Sequence, residues 1–212
     1  IWSKKCYGKE PLRVPQIISL EDRLLSRAKE LELYEGLLRR WQKTLNLVSS
    51  STLDVFWERH VKDSAQLLPF LNSSESIGDM GAGAGFPGLV LALLGDCSVH
   101  LIESDTRKCL FLEEVIRQTK ASAVVHCCRL EAYQGPSLNT WVGRAFAPLE
   151  KILYFARHHL TPATRFVLLK GKSAETEVKN ALKKWQFRVE FYPSLTHPEG
   201  QVLILTQVSF RR

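Results

Sequence analysis

Leu24, Leu25, Ala28, Leu31, Leu37, Leu38, Trp41 and Leu45 recur at steps of three and four, which lays one apolar stripe along a helix. The spacing predicts a helical stretch over residues 1–75, interrupted at 46–51. Thr52 or Asp54 is placed to cap a further helix carrying Val55, Phe56, His60, Ser64 and Leu67, which stops before Pro69. From residue 77 the period changes. Short apolar runs at 77–80, 99–102, 123–126, 141–142 and 166–169 alternate with helical periods at 87–94, 107–119, 149–160 and 175–185. That alternation predicts βαβ units around a mainly parallel sheet. Two last runs, 187–192 and 201–208, flank a loop with Pro193 and Gly200 and predict an antiparallel pair at the sheet end. The expected fold is therefore α/β: a seven-stranded, mainly parallel sheet at 76–212 with a helical extension, 1–75, packed on it as one structural unit.

Composition narrows the class. The chain has 212 residues, 45% hydrophobic and 24% charged, values of a globular protein and not of a disordered chain, a collagen-like repeat or a disulfide scaffold. The five cysteines, Cys6, Cys97, Cys109, Cys127 and Cys128, are odd in number. They form no CxxC pair and have no zinc spacing with histidine, so they read as core thiols in a reducing compartment, with no metal expected. No uncharged apolar run is long enough to span a membrane, and the start lacks a signal-peptide core, so a cytoplasmic protein is expected. The net charge of +7 favours a polyanionic partner, most simply nucleic acid.

The chemistry concentrates at Asp79-Met80-Gly81-Ala82-Gly83-Ala84-Gly85-Phe86-Pro87-Gly88, between a predicted strand and helix. Glycines let backbone N–H groups approach a ligand, and the following helix presents its positive end. The segment lacks the Gly-Lys-Ser/Thr ending of a P-loop, which argues against a nucleoside triphosphatase. A dinucleotide, a phosphate or S-adenosylmethionine each suits such a turn. Glu103 ends the second strand, where a carboxylate can accept ribose hydroxyl hydrogens of either NAD or S-adenosylmethionine. After the third strand comes Arg129-Leu130-Glu131, placed to cover an adenine.

Together these residues resemble the bacterial RsmG family, also called glucose-inhibited division protein B. The most specific part is Gly81-Ala-Gly-Ala-Gly85-Phe86-Pro87-Gly88. Trp41-Gln42-Lys43-Thr44-Leu45-Asn46-Leu47, His60-Val61-Lys62-Asp63-Ser64, Arg129-Leu130-Glu131, Gly143-Arg144-Ala145 and Lys170-Gly171 resemble further family motifs in the same order. The chain departs from those motifs at Gln42 (usually Asn), Gly143 (usually Ser) and Asn139 (usually Asp), the last two near Arg144. The resemblance implies a class I, Rossmann-like methyltransferase with S-adenosyl-L-methionine as cofactor. It implies methylation of guanine N7 in the 530 loop of 16S ribosomal RNA (position 527), with that RNA or the 30S subunit as partner and the protein a monomer. It places Gly81 and Phe86 along the methionine side, Leu130 and Glu131 at the adenine, and Arg144 where cofactor and substrate meet; Glu103 takes the ribose role, and Asp79, Gly83 and Gly85 are expected to bind the cofactor with them.

Guanine N7 carries a lone pair and no proton, so its methylation needs alignment and no general base. Arg144 is the candidate positioning residue; its fork suits guanine O6, a phosphate or a bracing ion pair. His60 and Asp63 share a helix face and either hold the RNA or pack the helices on the sheet. Trp41 reads as core or as a stacking platform, and Lys170 as a phosphate contact or a solvated lysine. Arg144, Lys151, Arg157, Arg165, Lys170, Lys172, Lys179, Lys183, Lys184 and Arg188 are expected to form a phosphate-facing surface. Three other readings stay open: a methyltransferase acting on another substrate, a nucleotide-binding oxidoreductase, and a non-catalytic ribosome-binding factor.

Overall fold

The structure, a computed structural model, describes residues 19–211. Cys6 therefore lies outside the described residues. Seven strands form one sheet: β1 (Ser76–Met80), β2 (Ser98–Glu103), β3 (Ala123–Cys127), β4 (Thr140–Arg144), β5 (Arg165–Lys170), β6 (Trp185–Pro193) and β7 (Gln201–Phe210). Their order is β3-β2-β1-β4-β5-β7-β6. The first five pair in parallel, and β7 runs antiparallel between β5 and β6. The C-terminal ends of β1, β2, β3, β4 and β5 thus lie along one edge, and the β6–β7 hairpin joins them there. Ligands of open parallel sheets sit at that edge.

Both faces of the sheet are covered. On one face lie α2 (Ala28–Gln42), α4 (Gly88–Leu94) and α5 (Thr106–Thr119), packed on Ile77, Val99, Leu101 and Val142. On the other, α6 (Leu149–Ala156) and α7 (Ala174–Ala181) cover Met80, Ile102, Trp141 and Phe166. Every residue of α4 is buried, which is why its sequence shows no polar face. Asp105 caps α5 by accepting from the Arg107 and Lys108 amides, and Lys120 closes it in the left-handed conformation at φ +56.

The N-terminal stripe is two helices and not one. The chain leaves helical geometry at Arg27, between α1 (Leu20–Ser26) and α2. This turns Leu25 outward, to 75% exposure, while Leu31, Tyr34, Leu37 and Leu38 stay buried. The helix expected over 55–67 is a wide π-type turn, Trp57–Lys62, that tightens into the short α3 (Asp63–Ala65). The Ser64 hydroxyl donates to the His60 carbonyl at 2.6 Å, and such back-bonding disturbs a regular helix. Three other boundaries move. A 3₁₀ turn, Arg157–His159, replaces the last turn of the 149–160 helix, and the loop after β3 holds another, Leu130–Ala132. Trp185 opens β6 and does not end α7, because its ring is buried edge-on against Phe210 of β7.

Candidate active site

β1 runs into a turn whose backbone conformation residues with a side chain rarely adopt. Gly81 and Gly83 have φ of +65 and +57. A Cβ on Gly81 would collide with the Phe146 ring, so that glycine is needed for packing. A Cβ on Gly83 would meet only the Gly81 carbonyl, at 3.7 Å, so space lies open in front of it. Asp79, fully buried at the strand end, accepts from the Gly88 amide at 2.8 Å through Oδ2 and fastens the turn to the start of α4. Its Oδ1 has no partner. Burial pushes the Asp79 carboxyl up to about 7, against the pull of the Gly88 amide and Arg144.

Glu103 is held by three backbone amides. Ser104 and Asp105 donate to Oε1 at 2.7 and 2.8 Å, and Gly83 donates to Oε2 at 2.8 Å. A carboxylate offers about four acceptor sites, so Oε2 keeps one for a ligand hydroxyl. The same bond ties the tip of β2 to the glycine turn.

These groups surround a cavity of about 410 Å³, in the size range of small-molecule sites. Of the residues singled out from sequence, Gly81, Gly83, Phe86, Glu103, Leu130, Glu131 and Arg144 line it. Asp79 and Gly85 do not. Asp79 braces the turn from beneath, and a side chain on Gly85 would strike Leu89 and the Tyr34 hydroxyl, on the core side. Leu47, Val48, Cys128, Phe146 and Phe155 complete the wall. Gln42 builds part of it from outside: its Oε1 accepts from the Leu47 and Val48 amides at 2.9 and 3.1 Å, and its Nε2 donates to the Val48 carbonyl at 2.8 Å. The Leu130 carbonyl meets His159 Nε2 at 2.8 Å, which fixes the opposite wall. Trp41 lies off the cavity, half-buried against Phe111 at 5.7 Å between ring centres.

Arg144, at the tip of β4, joins four parts of the chain. Nη1 donates to the Arg59 carbonyl at 2.7 Å and to Asp63 Oδ2 at 2.9 Å, and Nη2 donates to His60 Nδ1 at 2.8 Å. The guanidinium carbon stands 5.1 Å from the centre of the Phe86 ring, on which His60 also stacks at 4.6 Å. Asp63 Oδ1 accepts from the Thr196 hydroxyl at 2.6 Å, which draws in the β6–β7 hairpin. Since Arg144 must donate, His60 Nδ1 is the acceptor; Nε2–H then faces the Thr52 hydroxyl at 2.9 Å, whose own proton goes to the Ser49 carbonyl. Burial, with Arg144 and Arg59 adding to it, pushes His60 down to about 4, so it is neutral at pH 7. His60 and Asp63 thus position Arg144, and neither lines the first cavity. Nε and one Nη2 proton of Arg144 are left for a ligand.

The expected basic surface does not form as one patch. Arg165 lies at the opposite edge of the sheet, bound to Glu75 at 2.9 Å and to the Thr140 hydroxyl. Lys170 is turned inward, donating to the Ala147 carbonyl at 2.6 Å and to Glu177 at 2.8 Å, so two of its three N–H groups are taken within the fold. Lys184 pairs with Glu150. The cations at the mouth of the cavity are instead Lys108 and Arg129. Among the described residues no group of His, Cys, Asp and Glu could hold a metal, and no helix is long and apolar enough to cross a membrane.

The family model of GidB, rRNA small subunit methyltransferase G, matches residues 27–203. The chain belongs to the rRNA small subunit methyltransferase G family. Curated proteins of that name in Rhodospirillum centenum and Parvibaculum lavamentivorans are 47% and 45% identical over 182 and 189 residues. These matches cover 85% and 86% of this chain and 84% and 80% of the relatives. Solved structures of like fold include a mutant MtNAS in complex with S-adenosylmethionine, at TM-score 0.57 and 13% identity over 92% of this chain and 86% of that one. The fibrillarin/Nop5p complex follows at 0.51 and 12%, over 65% and 74%. The departures at Asn139 and Gly143 leave the hydrogen bonds of Arg144 untouched, since those all go to Arg59, His60 and Asp63.

Proposed function

We propose that the chain transfers a methyl group from S-adenosylmethionine to N7 of a guanine in the 530 loop of 16S ribosomal RNA, free or within the 30S subunit. Residues 19–75 act as a helical extension that completes the site of a core formed by 76–211. One observation carries the reading: Gly83, Glu103, Leu130, Glu131 and Arg144, far apart in sequence, converge on a single cavity. The donor set fits a cationic nucleoside. Glu103 would hold a ribose hydroxyl through its free acceptor site, Leu130 and Glu131 would hold the adenine, and the space before Gly83 would take the amino-acid chain. S-adenosylmethionine, when bound, supplies an electrophilic methyl on sulfur. Arg144 holds guanine O6 with its unused N–H groups and turns N7 toward the cavity. Asp63 balances the Arg144 charge while the guanine ring becomes cationic. No group on the chain removes a proton, because N7 carries none.

The purified chain, incubated with S-adenosylmethionine carrying a labelled methyl and with 16S RNA or 30S subunits from cells lacking it, should label one guanine. Mass spectrometry should place the label at N7 in the 530 loop. Label on another base, or a cofactor that binds without any transfer to ribosomal RNA, would refute the proposal.

A further inference from the structure

A second cavity, of about 510 Å³, opens on the far side of Arg144. It shares Arg144, Ala145 and Phe146 with the first, so the two cavities adjoin at these residues. Its outer wall is the β6–β7 hairpin, which is rigid by construction. The Ser194 amide donates to the Gly200 carbonyl at 2.9 Å, the Leu195 amide to Gln66 Oε1 at 2.8 Å, and the Thr196 hydroxyl to Asp63. Its charges cancel in pairs. Arg144 faces Asp63, and Lys170 faces Glu177 at 2.8 Å. Burial alone would raise the Glu177 carboxyl, yet bonds from Lys170 and Ser173 hold it below its ordinary value, so this pair stays ionised. Arg59 is the exception. Its side chain is exposed at the rim and pairs with no carboxylate among the described residues, while its carbonyl is pinned by Arg144.

We infer that this second cavity receives the target nucleotide after it is swung out of the RNA strand, with Arg59 gripping its phosphate. The inference rests on the function proposed above and names the substrate side of that site. A purine lying here with O6 on Arg144 abuts the first cavity, so that N7 and the methyl donor meet beside the guanidinium and not across it. The single uncompensated cation at the rim matches one phosphodiester, and the preformed walls suit a flat ring.

Gly171 gives a clean probe. It lines the second cavity and not the first, and a Cβ there meets nothing within 4 Å, so the fold accommodates a large side chain at the cavity's edge. Gly171→Trp is expected to lower kcat/KM for RNA methylation at least 100-fold while leaving the Kd for S-adenosylmethionine within twofold. Arg59→Ala is expected to raise KM for RNA about tenfold and to reduce the slope of log affinity against log salt by about 0.7–1, the share of one phosphate contact. Arg59→Lys should restore the slope, which a packing role would not do. Wild-type methylation by Gly171→Trp, loss of cofactor affinity in that variant, or an unchanged salt slope in Arg59→Ala would each overturn the inference. An unmodified protein that labels no ribosomal RNA would instead remove the proposed function, so the two failures are separate.

Discussion

Arg144 Nη2 donates to His60 Nδ1 at 2.8 Å, so the arginine at the tip of β4 is oriented by a neutral imidazole from the N-terminal segment. Protonating His60 would set two cations face to face and break that bond. Its value, down from 6.5 to about 4, means the unfolded chain takes up the proton first as pH falls. Stability is therefore full above about 6.5 and declines toward pH 4. Thermal melts across that window should show the decline, and His60→Gln should flatten it. Parallel profiles for the two proteins would count against a neutral His60.

Arg144→Ala should lower methyl transfer by about 10²–10³, the scale of one lost preorganised donor. The cofactor Kd should change far less. Asp63, with only 6% of its side chain exposed, is left without its cation, so the fold should weaken by about 3 kcal/mol. Single-turnover rates, calorimetry and denaturant unfolding separate the three effects. A cofactor Kd that worsens as much as the rate would make Arg144 a cofactor ligand alone.

The two glycines with open and closed surroundings should behave differently. Gly83→Val places a side chain in the space before the turn, so cofactor affinity should be lost, and strain at φ +57 should lower the melting temperature modestly. Gly81→Val has the same strain and also drives into Phe146, so its melting temperature should fall further. Cofactor titration and melting curves on both variants test this; equal melting temperatures would contradict it.

Glu103→Ala removes the acceptor for the Gly83, Ser104 and Asp105 amides as well as the proposed ribose contact. Cofactor binding should weaken by about 1–3 kcal/mol. An unchanged calorimetric Kd would exclude the ribose role.

Asp79 titrates in the opposite sense to His60. Its carboxyl is raised from 3.8 to about 7, so the folded chain holds a proton that the unfolded chain has released. That contribution is complete below about 3.8 and is lost as pH rises to about 7. Asp79→Asn should therefore gain in melting temperature relative to wild type as pH is raised from 4 to 8. It should keep cofactor affinity, since Asp79 does not line the cavity. A difference in melting temperature that does not vary with pH would show that Asp79 is ionised throughout.

The strand–helix alternation and the glycine turn were legible because each depends on short-range pattern. Glu103 was legible because a carboxylate at a strand tip has few structural uses. What distinguished Gly83 from Gly85, or Glu103 from Asp79, was not local. It depends on which side of the turn Leu89, Tyr34 and α4 occupy. Gln42 looked like a departure from a motif and proves to hold the Leu47–Val48 wall, a role set by its reach to backbone atoms five and six residues on. Lys170 looked free because its partner Glu177 sits on α7, whose docking no periodicity specifies. The pairing of Arg165 with Glu75 was hidden for the same reason, across 90 positions of chain.

The place of β7 between β5 and β6 has a consequence for biosynthesis. β6 leaves the ribosome before the strand it must pair with exists, and the exposed edge of β5 waits with it. Thr196, which latches Asp63 and through it Arg144, belongs to the turn that only β7 can close. A nascent chain stopped short of residue 201 has Arg59, His60 and Asp63 to bond its arginine, and lacks the closed hairpin that latches Asp63 from the other side. The arginine cluster is thus braced from both sides only once β7 has joined the sheet.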